Sequence, residues 1–302
     1  MNSDPIKISF TLIFLIIALL GFVFNILAFI IFSRKRFHST IYSTYYRFLI
    51  IADTFVILLP INKVLEYKFS LYFASLSYYT CKLRLYYAFA IPPISGWITV
   101  IIGLDRMISI MFHGKYLIRK RAIFQKATCF IVVFLNLILS LPVILINETL
   151  TNQDKNYNGS NQTLVKCLTN NSSVFWLDFI QKDILPFVLM FTISSLTVRF
   201  ILKSRMPRNN KDITISSKRK RDTKYAIVST GLNILYLLLN LPYCILNLMT
   251  DYLSNNNSNS FRVVNNLFLC FAYMNAISVF FVNFKFNYIF KNEFYRLFSI
   301  DK

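Results

Sequence analysis

The feature that most constrains this chain is a run of 25 residues, Ile8–Phe32, that contains no charged side chain. A helix of about 20 apolar residues crosses the hydrocarbon core of a bilayer, whereas in water so long an apolar run would have no polar face to expose. The whole chain shares this character, because its mean hydropathy is +0.52 and only 15% of its residues are charged. A soluble chain would carry about 25% charged residues. The sequence therefore predicts a polytopic membrane protein.

Hydropathy predicts seven membrane spans along the chain. They cover residues 8–33, 43–66, 79–112, 122–146, 178–204, 222–250 and 261–285. A shorter segment, 286–298, puts aromatic and apolar residues on one helical face and basic residues on the other, as amphipathic helices at membrane surfaces do. We expect residues 1–302 to form a single all-α domain, a seven-transmembrane helix bundle with an amphipathic eighth helix on its cytoplasmic side.

The loops on the two sides of the predicted bundle differ in charge. One side, which includes the C-terminal tail, holds 24 of the 33 Lys and Arg residues, and the other side holds nine of them with seven acidic residues. Because positively charged loops stay in the cytoplasm, we expect the N-terminus outside a plasma membrane and the tail inside. The basic segments 119–121 and 218–221 would then contact a cytoplasmic protein, anionic membrane lipids or both.

N-glycosylation sequons agree with this orientation, since only residues on the outer side can be glycosylated. All of the sequons fall in loops that the charge distribution places outside. They are at Asn147, Asn158, Asn161, Asn170, Asn171 and Asn256.

Several classes of function find no support in the residues. The net charge of +20 is confined to particular loops rather than spread over a folded face, which argues against nucleic acid as a partner. Catalysis within the membrane would need paired carboxylates or a histidine–metal cluster, yet only Asp53 lies deep in a span, and His38 and His113 lie in predicted cytoplasmic loops. We therefore expect no enzyme and no bound cofactor apart from a simple ion. A small transporter or channel stays open as an alternative, although the two halves show no internal repeat.

Short motifs occur in the predicted spans at fixed positions. Cys81, at the start of span three, precedes Arg106 by 25 residues, and an aspartate stands directly before that arginine. The order and spacing of the motifs resemble those of the rhodopsin-like (class A) G-protein-coupled receptors along essentially the whole chain. In style the chain is most similar to invertebrate FMRFamide-like or other neuropeptide receptors and to chemosensory receptors. The other matching motifs are Gly21-Phe-Val-Phe-Asn25, Leu49-Ile-Ile-Ala52-Asp53, Ser95-Gly-Trp97-Ile-Thr99-Val100, Pro186 and Pro242.

The resemblance implies a function and several site residues. A receptor of this family binds a ligand outside the cell and activates a heterotrimeric G protein in the cytoplasm. Arg106 would pair with Asp105 and with Asp222, the acid at the family's position on span six, in a lock that the G protein replaces. Cys81 would form a disulfide with Cys167 in the outer loop, where the compartment is oxidising.

Asp53 lies in the middle of span two, where an ionised carboxylate costs about 2.5–3.5 kcal/mol on insertion scales. Such a side chain is expected to face the bundle interior and to have a polar partner. In the family's register, Ser95 and Asn275 converge on it and Asn25 packs nearby. Hydroxyl, amide and carboxylate oxygens suit a hard cation, so the resemblance implies a sodium ion at this site. The alternative is an aspartate that is protonated or bonded to an amide and only holds helices together.

The chain departs from the family at positions that usually transmit the signal. The span-six motif C-W-x-P reads Leu239-Asn240-Leu241-Pro242, so its aromatic residue is missing. The span-seven motif N-P-x-x-Y falls at 279–283, where the sequence reads Val-Phe-Phe-Val-Asn. Met107 replaces the tyrosine after the arginine, and Ser194 replaces the span-five tyrosine. The fold is therefore expected to be that of the family, with a rebuilt relay inside it.

Two positions argue against two classes of ligand that the resemblance would otherwise allow, amines and retinal. Ala88 occupies the place of the aspartate that binds amine ligands, and Tyr273 occupies the place of the lysine that binds retinal. The outer cavity is expected to carry mixed charge and aromatic groups, which suits a short peptide. A small molecule is the alternative ligand, and some of these charges could instead pair with each other at the membrane edge. The candidate residues are Lys63, Glu66, Arg84, Phe89, Lys182, Asp183, Tyr243, Asn247 and Tyr273.

Overall fold

The computed structural model describes residues 5–38, 43–69, 78–111, 122–142, 151–154, 163–166, 176, 179–204, 213–253 and 259–298. The helices of the first half are α1 (Pro5–Phe32), α2 (Lys35–His38), α3 (Ser43–Phe69), α4 (Tyr78–Met111) and α5 (Ala122–Leu139). A π-helical turn, Ile180–Ile184, leads into α6 (Leu185–Ser204), and α7 (Ile213–Leu253), α8 (Asn259–Asn275), α9 (Ser278–Phe286) and α10 (Tyr288–Leu297) follow. Two short strands, β1 (Thr151–Asp154) and β2 (Thr163–Lys166), pair antiparallel in the loop that follows α5.

These helices confirm the predicted helical bundle. Among the described residues, α1, α3, α4, α7 and the π-helical turn with α6 are long and apolar enough to cross a membrane. α8 and α9 add a sixth span when they are taken together, and α5 is a shorter apolar helix at the place of predicted span four. α10 is the predicted amphipathic helix. The β1–β2 hairpin is a small addition that hydropathy did not predict.

Within predicted span four, 122–146, α5 ends at Leu139, two turn residues follow, and helical backbone begins again at Pro142, the last residue of this span that the structure describes. The backbone hydrogen bonds then tighten, as the N–H of Leu141 donates to Ile138 O at 3.0 Å. Pro142 follows, and a proline disfavours helical backbone at the residue before it. Hydropathy does not register this end, because the residues around it are as apolar as the helix itself.

α4 lies at the centre of the bundle and packs against α3, α5, α6 and α7. α1 packs mainly on α3, and its buried residues recur every three or four positions, which makes one inward stripe on an otherwise lipid-facing helix. The stripe includes Phe14, Ala18, Gly21, Asn25 and Ala28. This arrangement brings residues of α3, α4, α7 and α8 together inside the bundle.

The last span is broken without a proline. α8 ends at Asn275, α9 starts at Ser278, and the two helices are bent by 51°. The N–H of Ala276 donates to Tyr273 O at 3.1 Å, and that of Ile277 likewise reaches back three residues. Such 3₁₀-type hydrogen bonds shorten the turn and redirect the chain. The break places Asn275 and Ala276 on the wall of an internal cavity.

Phenylalanine rings fill the other end of that span, where α1, α9 and α10 meet. The ring centroid of Phe280 lies 4.8 Å from that of Phe24, 5.6 Å from that of Phe290 and 5.7 Å from that of Phe294. α10 begins directly beside these rings, because the side chain of Asn287 accepts the backbone N–H of Phe290 as an N-cap. The phenylalanine cluster consists of Phe24, Phe280, Phe284, Phe290 and Phe294.

Candidate functional site

A cavity of about 580 Å³ lies between α3, α4, the π-helical turn, α7 and α8. It extends from the end of the bundle opposite α10 down to the middle of α3. Six of the predicted ligand residues line it, and they come from all five of these elements. They are Lys63, Arg84, Lys182, Asp183, Tyr243 and Tyr273.

Two further predicted ligand residues, Phe89 and Asn247, are not on the wall of the cavity. Phe89 lies just outside the stripe of α4 that faces it, because the lining passes through Ala88 and Pro92. Asn247 lies one turn beyond Tyr243, the last residue of α7 on the wall. The side chain of Glu66 lies outside the described part of the chain. Charge and hydropathy do not fix the rotation of a helix about its axis, so the sequence could not show that Phe89 and Asn247 lie beside the wall rather than on it.

The cavity also contains polar residues that the sequence did not single out as ligand residues. Asn62 and Asn265 lie on its wall, and Tyr236 and Asn240 face it from α7. Tyr236, Asn240 and Tyr243 are four and three residues apart, so they occupy one helical face. That spacing was readable in the sequence, and it was the signal that could have identified them.

Mixed charge distinguishes the upper part of this cavity. Lys63, Arg84 and Lys182 bring three basic groups to the wall, and Asp183 brings an acidic one. Lys182 Nζ lies 5.9 Å from the centroid of the Tyr243 ring, a distance typical of a cation–π contact. The wall can therefore bind a ligand with charged and aromatic groups.

Buried hydrogen bonds hold the π-helical turn that carries Lys182 and Asp183. The indole N–H of Trp97 on α4 donates to Gln181 O at 3.2 Å. The side-chain amide of Gln181 donates in turn to Asn136 Oδ1 on α5 at 2.9 Å. The turn is thus fixed to two neighbouring helices, which positions its two charged side chains against the cavity.

Asp53 forms the floor of the same cavity and is 2% exposed. The hydroxyl of Ser95 on α4 donates a hydrogen bond to Asp53 Oδ1, and Asn275 lines the cavity at the C-terminal end of α8. Asn25 is fully buried, and neither atom of its amide has a hydrogen-bond partner among the described residues. Carboxylate, hydroxyl and amide oxygens beside the negative end of a helix dipole fit a hard monovalent cation.

The opposite end of α4 carries the Asp-Arg pair. Arg106 Nη2 donates to Asp105 Oδ2, and both side chains are almost completely buried. Asp222 belongs to α7, but its side chain lies outside the described residues, so the third member of the predicted lock stays a prediction. The structure therefore places Arg106 and Asp105 together at the end of α4 that lies away from the cavity.

Two glycines of α4 let α7 approach closely. A Cβ built on Gly103 would lie 2.8 Å from Asn233 Nδ2, and one built on Gly96 would lie 2.9 Å from Tyr236 Oη. Both distances are shorter than side chains normally tolerate, so only glycine fits without a shift. Asn233 uses this space to donate a hydrogen bond to Ser194 Oγ on α6 at 3.1 Å.

Asn240, Tyr236 and Asn233 form a polar column on one face of α7. Asn240 and Tyr236 line the cavity, and Asn240 Nδ2 donates to Tyr236 O at 2.9 Å. Asn233 contacts α4 at Gly103, which is less than one helical turn from Arg106. The polar column thus runs from the candidate ligand cavity to the vicinity of the buried Asp-Arg pair.

The remaining predicted sites are at residues whose side chains the structure does not describe. Cys81 belongs to α4, although its side chain lies outside the described residues, and Cys167 directly follows β2 and is outside them as well. Their disulfide stays a prediction, as do all of the glycosylation sites. Within the described helices, Cys129, Cys244 and Cys270 are free thiols.

Comparison with known proteins agrees with this geometry. The sequence pattern of the family described as 7 transmembrane receptor (rhodopsin family) matches residues 24–278, from α1 to the start of α9. No curated protein matches the chain. The family match covers far more than half of the sequence, and the Asp105–Arg106 pair and the Asp53–Ser95 hydrogen bond lie inside it. The chain therefore belongs to the rhodopsin family of seven-transmembrane receptors.

Proposed function

We propose that the ligand of this receptor is a short peptide that enters the cavity from outside the cell. Family membership makes the chain a multi-pass G-protein-coupled receptor rather than an enzyme, with an extracellular ligand and a heterotrimeric G protein as partners. It does not define the ligand. The observation that favours a peptide is the cavity wall, where Arg84, Lys63 and Lys182 stand with two carboxyl groups and three tyrosines.

The charges on that wall favour a ligand with charges of its own. Each of them is partly removed from water, and a ligand that carries polar or charged groups interacts with such a wall more favourably than a purely apolar ligand does. A peptide supplies a carboxylate, an amino group or aromatic side chains in one molecule. The volume of about 580 Å³ accommodates the end of such a peptide and lies in the range of small-molecule sites as well. A charged small molecule is therefore the second candidate.

The proposed orientation places this cavity outside and α10 in the cytoplasm. Its support is the asymmetry of the loops, in which 24 of the 33 basic residues lie on the side of α10. The predicted glycosylation sites and the predicted Cys81–Cys167 disulfide require the same orientation. Arg106 and Asp105 then face the compartment that contains the G protein.

We also propose that Asp53, Ser95 and Asn275 hold a sodium ion. Asp53 supplies the charge, and the hydroxyl and amide oxygens supply neutral ligands. The ion would compensate the buried carboxylate in the inactive receptor. It would also link α3, α4 and α8 at the floor of the ligand cavity.

The polar column is the proposed route of the signal. A ligand that contacts Tyr236 or Asn240 acts on α7 directly, since both side chains line the cavity. Rotation of α7 would move Asn233 away from Gly103 and Ser194, which opens the inner end of the bundle beside Arg106. Because the change is a population shift, the ligand must bind the opened state better than the closed one.

The test is a G-protein activation screen in cells that express the full chain, with a library of short peptides and a matched library of small organic acids and amines. We expect a peptide to activate, and Arg106→Ala to abolish the response while surface expression persists. Activation by small molecules alone would overturn the peptide assignment. A response that Arg106→Ala leaves unchanged would contradict the proposed coupling.

A matched pair of variants tests whether the ligand uses the cavity. Arg84→Gln removes a wall charge, whereas Lys82→Gln removes a neighbouring charge of α4 that does not line the cavity. We expect Arg84→Gln to lower peptide potency by about tenfold or more, as is typical for the loss of a charged hydrogen bond. Lys82→Gln should leave the potency nearly unchanged. Equal effects would place the ligand elsewhere.

The transporter alternative has one observation in its favour, the broken span at Asn275, because discontinuous helices line the binding sites of transporters. The transporter alternative is tested by reconstituting the purified receptor in liposomes and measuring the flux of a peptide or an ion across their membrane. Substrate-dependent flux without G-protein activation would replace the receptor proposal.

A further inference from the structure

The π-helical turn carries one acidic residue inside the bundle. Gln181 and Asp183 are 9% and 8% exposed, whereas Ile180 and Ile184 on either side of them are 47% and 39% exposed. Residues two apart face nearly opposite sides of an α-helix, because each residue turns the helix by about 100°. A π-helical turn is wider, so Gln181 and Asp183 are both buried here. The turn therefore places a carboxyl group on the wall of the ligand cavity.

The carboxyl group of Asp183 has no hydrogen-bond or ion-pair partner among the described residues. Lys182, the preceding residue, acts on it electrostatically, but its Nζ lies toward α7, 5.9 Å from the centroid of the Tyr243 ring. A carboxyl group that is removed from water without a donor destabilises the folded state. Because Asp183 lines the cavity, a ligand can supply the missing donor.

A second polar group without a partner lies near Asp183. The hydroxyl of Tyr236 has no hydrogen-bond partner among the described residues, and a Cβ built on Gly96 would lie 2.9 Å from its oxygen. Tyr236 is 7% exposed, lines the same cavity and lies within the range of electrostatic interaction with Asp183. The π-helical turn and α7 thus offer acceptor oxygens to one space. Such oxygens suit a positively charged group with several N–H donors.

We propose that Asp183 binds a cationic group of the ligand, a guanidinium or an ammonium, with Tyr236 as a second acceptor. The inference rests on the proposed function, because it uses the same cavity, and it narrows the ligand to molecules that carry a basic group. In a peptide, that group is a basic side chain or the free N-terminal amine. The site differs from the one that binds amines in the family, which falls at Ala88 on α4.

The experiment compares two libraries of tetrapeptides on cells that express the full chain. One position is arginine in the first library and citrulline, its uncharged analogue, in the second. Both libraries are also made with an acetylated N-terminus, which separates a side-chain cation from the N-terminal amine. G-protein activation gives the potency of each peptide, and thermal stabilisation of the purified receptor gives its binding.

Two receptor variants of the same turn serve as test and control. Asp183→Asn removes the charge and keeps the shape of the side chain, and Lys182→Gln changes a neighbouring charge. On the natural receptor, we expect loss of the peptide's cation, by citrulline or by acetylation, to lower potency at least about tenfold, as is typical of a charged hydrogen bond. On Asp183→Asn, this difference should shrink to about twofold or less, whereas Lys182→Gln should keep it. Surface expression shows whether each variant is folded.

Three results would overturn the inference. A difference between charged and uncharged peptides that persists in Asp183→Asn would place the cation elsewhere. Uncharged peptides that are as potent as charged ones on the natural receptor would show that no cation is needed, and this comparison requires no variant to fold. The third result is that no basic compound activates or stabilises the natural receptor.

Failure of the peptide proposal is distinguishable from failure of this inference. The small organic amines and acids of the activation screen are applied to the same variants. If only small molecules activate, the ligand is not a peptide, yet amines whose potency falls on Asp183→Asn would still support the cation site. Activators that are all acidic would contradict it.

Discussion

Two helix interfaces at the end of the bundle away from the cavity differ in the side chains that form them. α7 meets α4 and α6 through polar side chains and glycines, with Asn233 bonded to Ser194 and seated against Gly103. α9 and α10 meet α1 through packed rings around Phe280. A single hydrogen bond in a membrane protein contributes about 0.6–1 kcal/mol, whereas separating a packed ring costs several times more. The difference indicates which interface opens during signalling: α7 moves, and α9 with α10 stays.

The comparison also explains two departures from the family's motifs. Phe280 takes the place of the proline in the span-seven motif, and Asn283 takes the place of its tyrosine. Asn283 is fully buried and bonds to its own helix at Val279 O and to Asn287 at the start of α10. A residue bonded in this way fixes α10 to α9 and is not available to exchange partners across the bundle.

The largest effect is expected for Phe280→Ala, which tests whether the phenylalanine cluster is a rigid anchor. The variant removes the central ring of the phenylalanine cluster and should lower the free energy of unfolding by about 3 kcal/mol, as is typical for a buried phenylalanine. Phe191→Ala on α6 is the matched control, since its side chain is 61% exposed and should contribute less than about 1 kcal/mol. Thermal unfolding of the purified variants measures both. Equal losses would show that the cluster is not a rigid anchor.

Gly103→Ala perturbs the polar interface instead. The new Cβ would lie 2.8 Å from Asn233 Nδ2, so the amide must turn away from Ser194 and the closed state is weakened by about 1–3 kcal/mol. We expect ligand-independent G-protein activation to rise at least about fivefold. Gly231→Ala is the control, because its Cβ would meet its nearest neighbour, Val282 Cγ1, at an ordinary 3.6 Å. A rise in both variants, or in neither, would contradict the role of this contact.

A double-mutant cycle on Ser194 and Asn233 tests how much their hydrogen bond stabilises the closed state, and its expected effect is smaller than that of Gly103→Ala. Ser194→Ala or Asn233→Ala alone should weaken the closed state by about 1 kcal/mol or less, which raises basal activation by several-fold at most. The double variant should do no more than Asn233→Ala does, since both break one hydrogen bond. Additive effects would show that the two side chains act separately.

The smallest expected effect concerns the proposed sodium ion. If Asp53 binds it with an affinity near the sodium concentration used, replacing choline by sodium should stabilise the receptor by about 0.5 kcal/mol and raise its unfolding midpoint by about 1–2 °C. Asp53→Asn should remove this increment. An increment that persists in Asp53→Asn would place the ion elsewhere or make it a general salt effect.

Much of the fold was predictable, because membrane spans depend on long apolar runs that a single sequence displays directly. The end of α5 before Pro142 and the break after Asn275 were missed, since neither changes hydropathy. Of the cavity, the charges near span ends such as Lys63 and Arg84 were found because charge is costly there. Phe89 lies beside the cavity wall rather than on it, and the sequence could not show this because its position depends on how α4 is rotated by its neighbours.

The close contacts of α4 with α7 could not be predicted from sequence. Gly103 is one of six glycines in the chain, and only the position of Asn233 on another helix shows that a side chain would not fit there. The ion pair between Arg34 and Glu293 is a similar case, since the two residues are 259 residues apart in sequence. Features that depend on contacts between distant residues became visible only in the structure.

The most direct test of this account measures movement at both interfaces in one experiment. Spin labels at Lys126 and Lys224 report on the inner ends of α5 and α7, and labels at Ser33 and Tyr288 report on α1 and α10; all four positions are exposed. Pulsed electron–electron resonance is recorded on the purified receptor with and without nucleotide-free heterotrimeric G protein. We predict that the distance between residues 126 and 224 lengthens by several ångströms, while the distance between residues 33 and 288 stays the same. Movement of α10 from α1 with α7 in place would contradict the account.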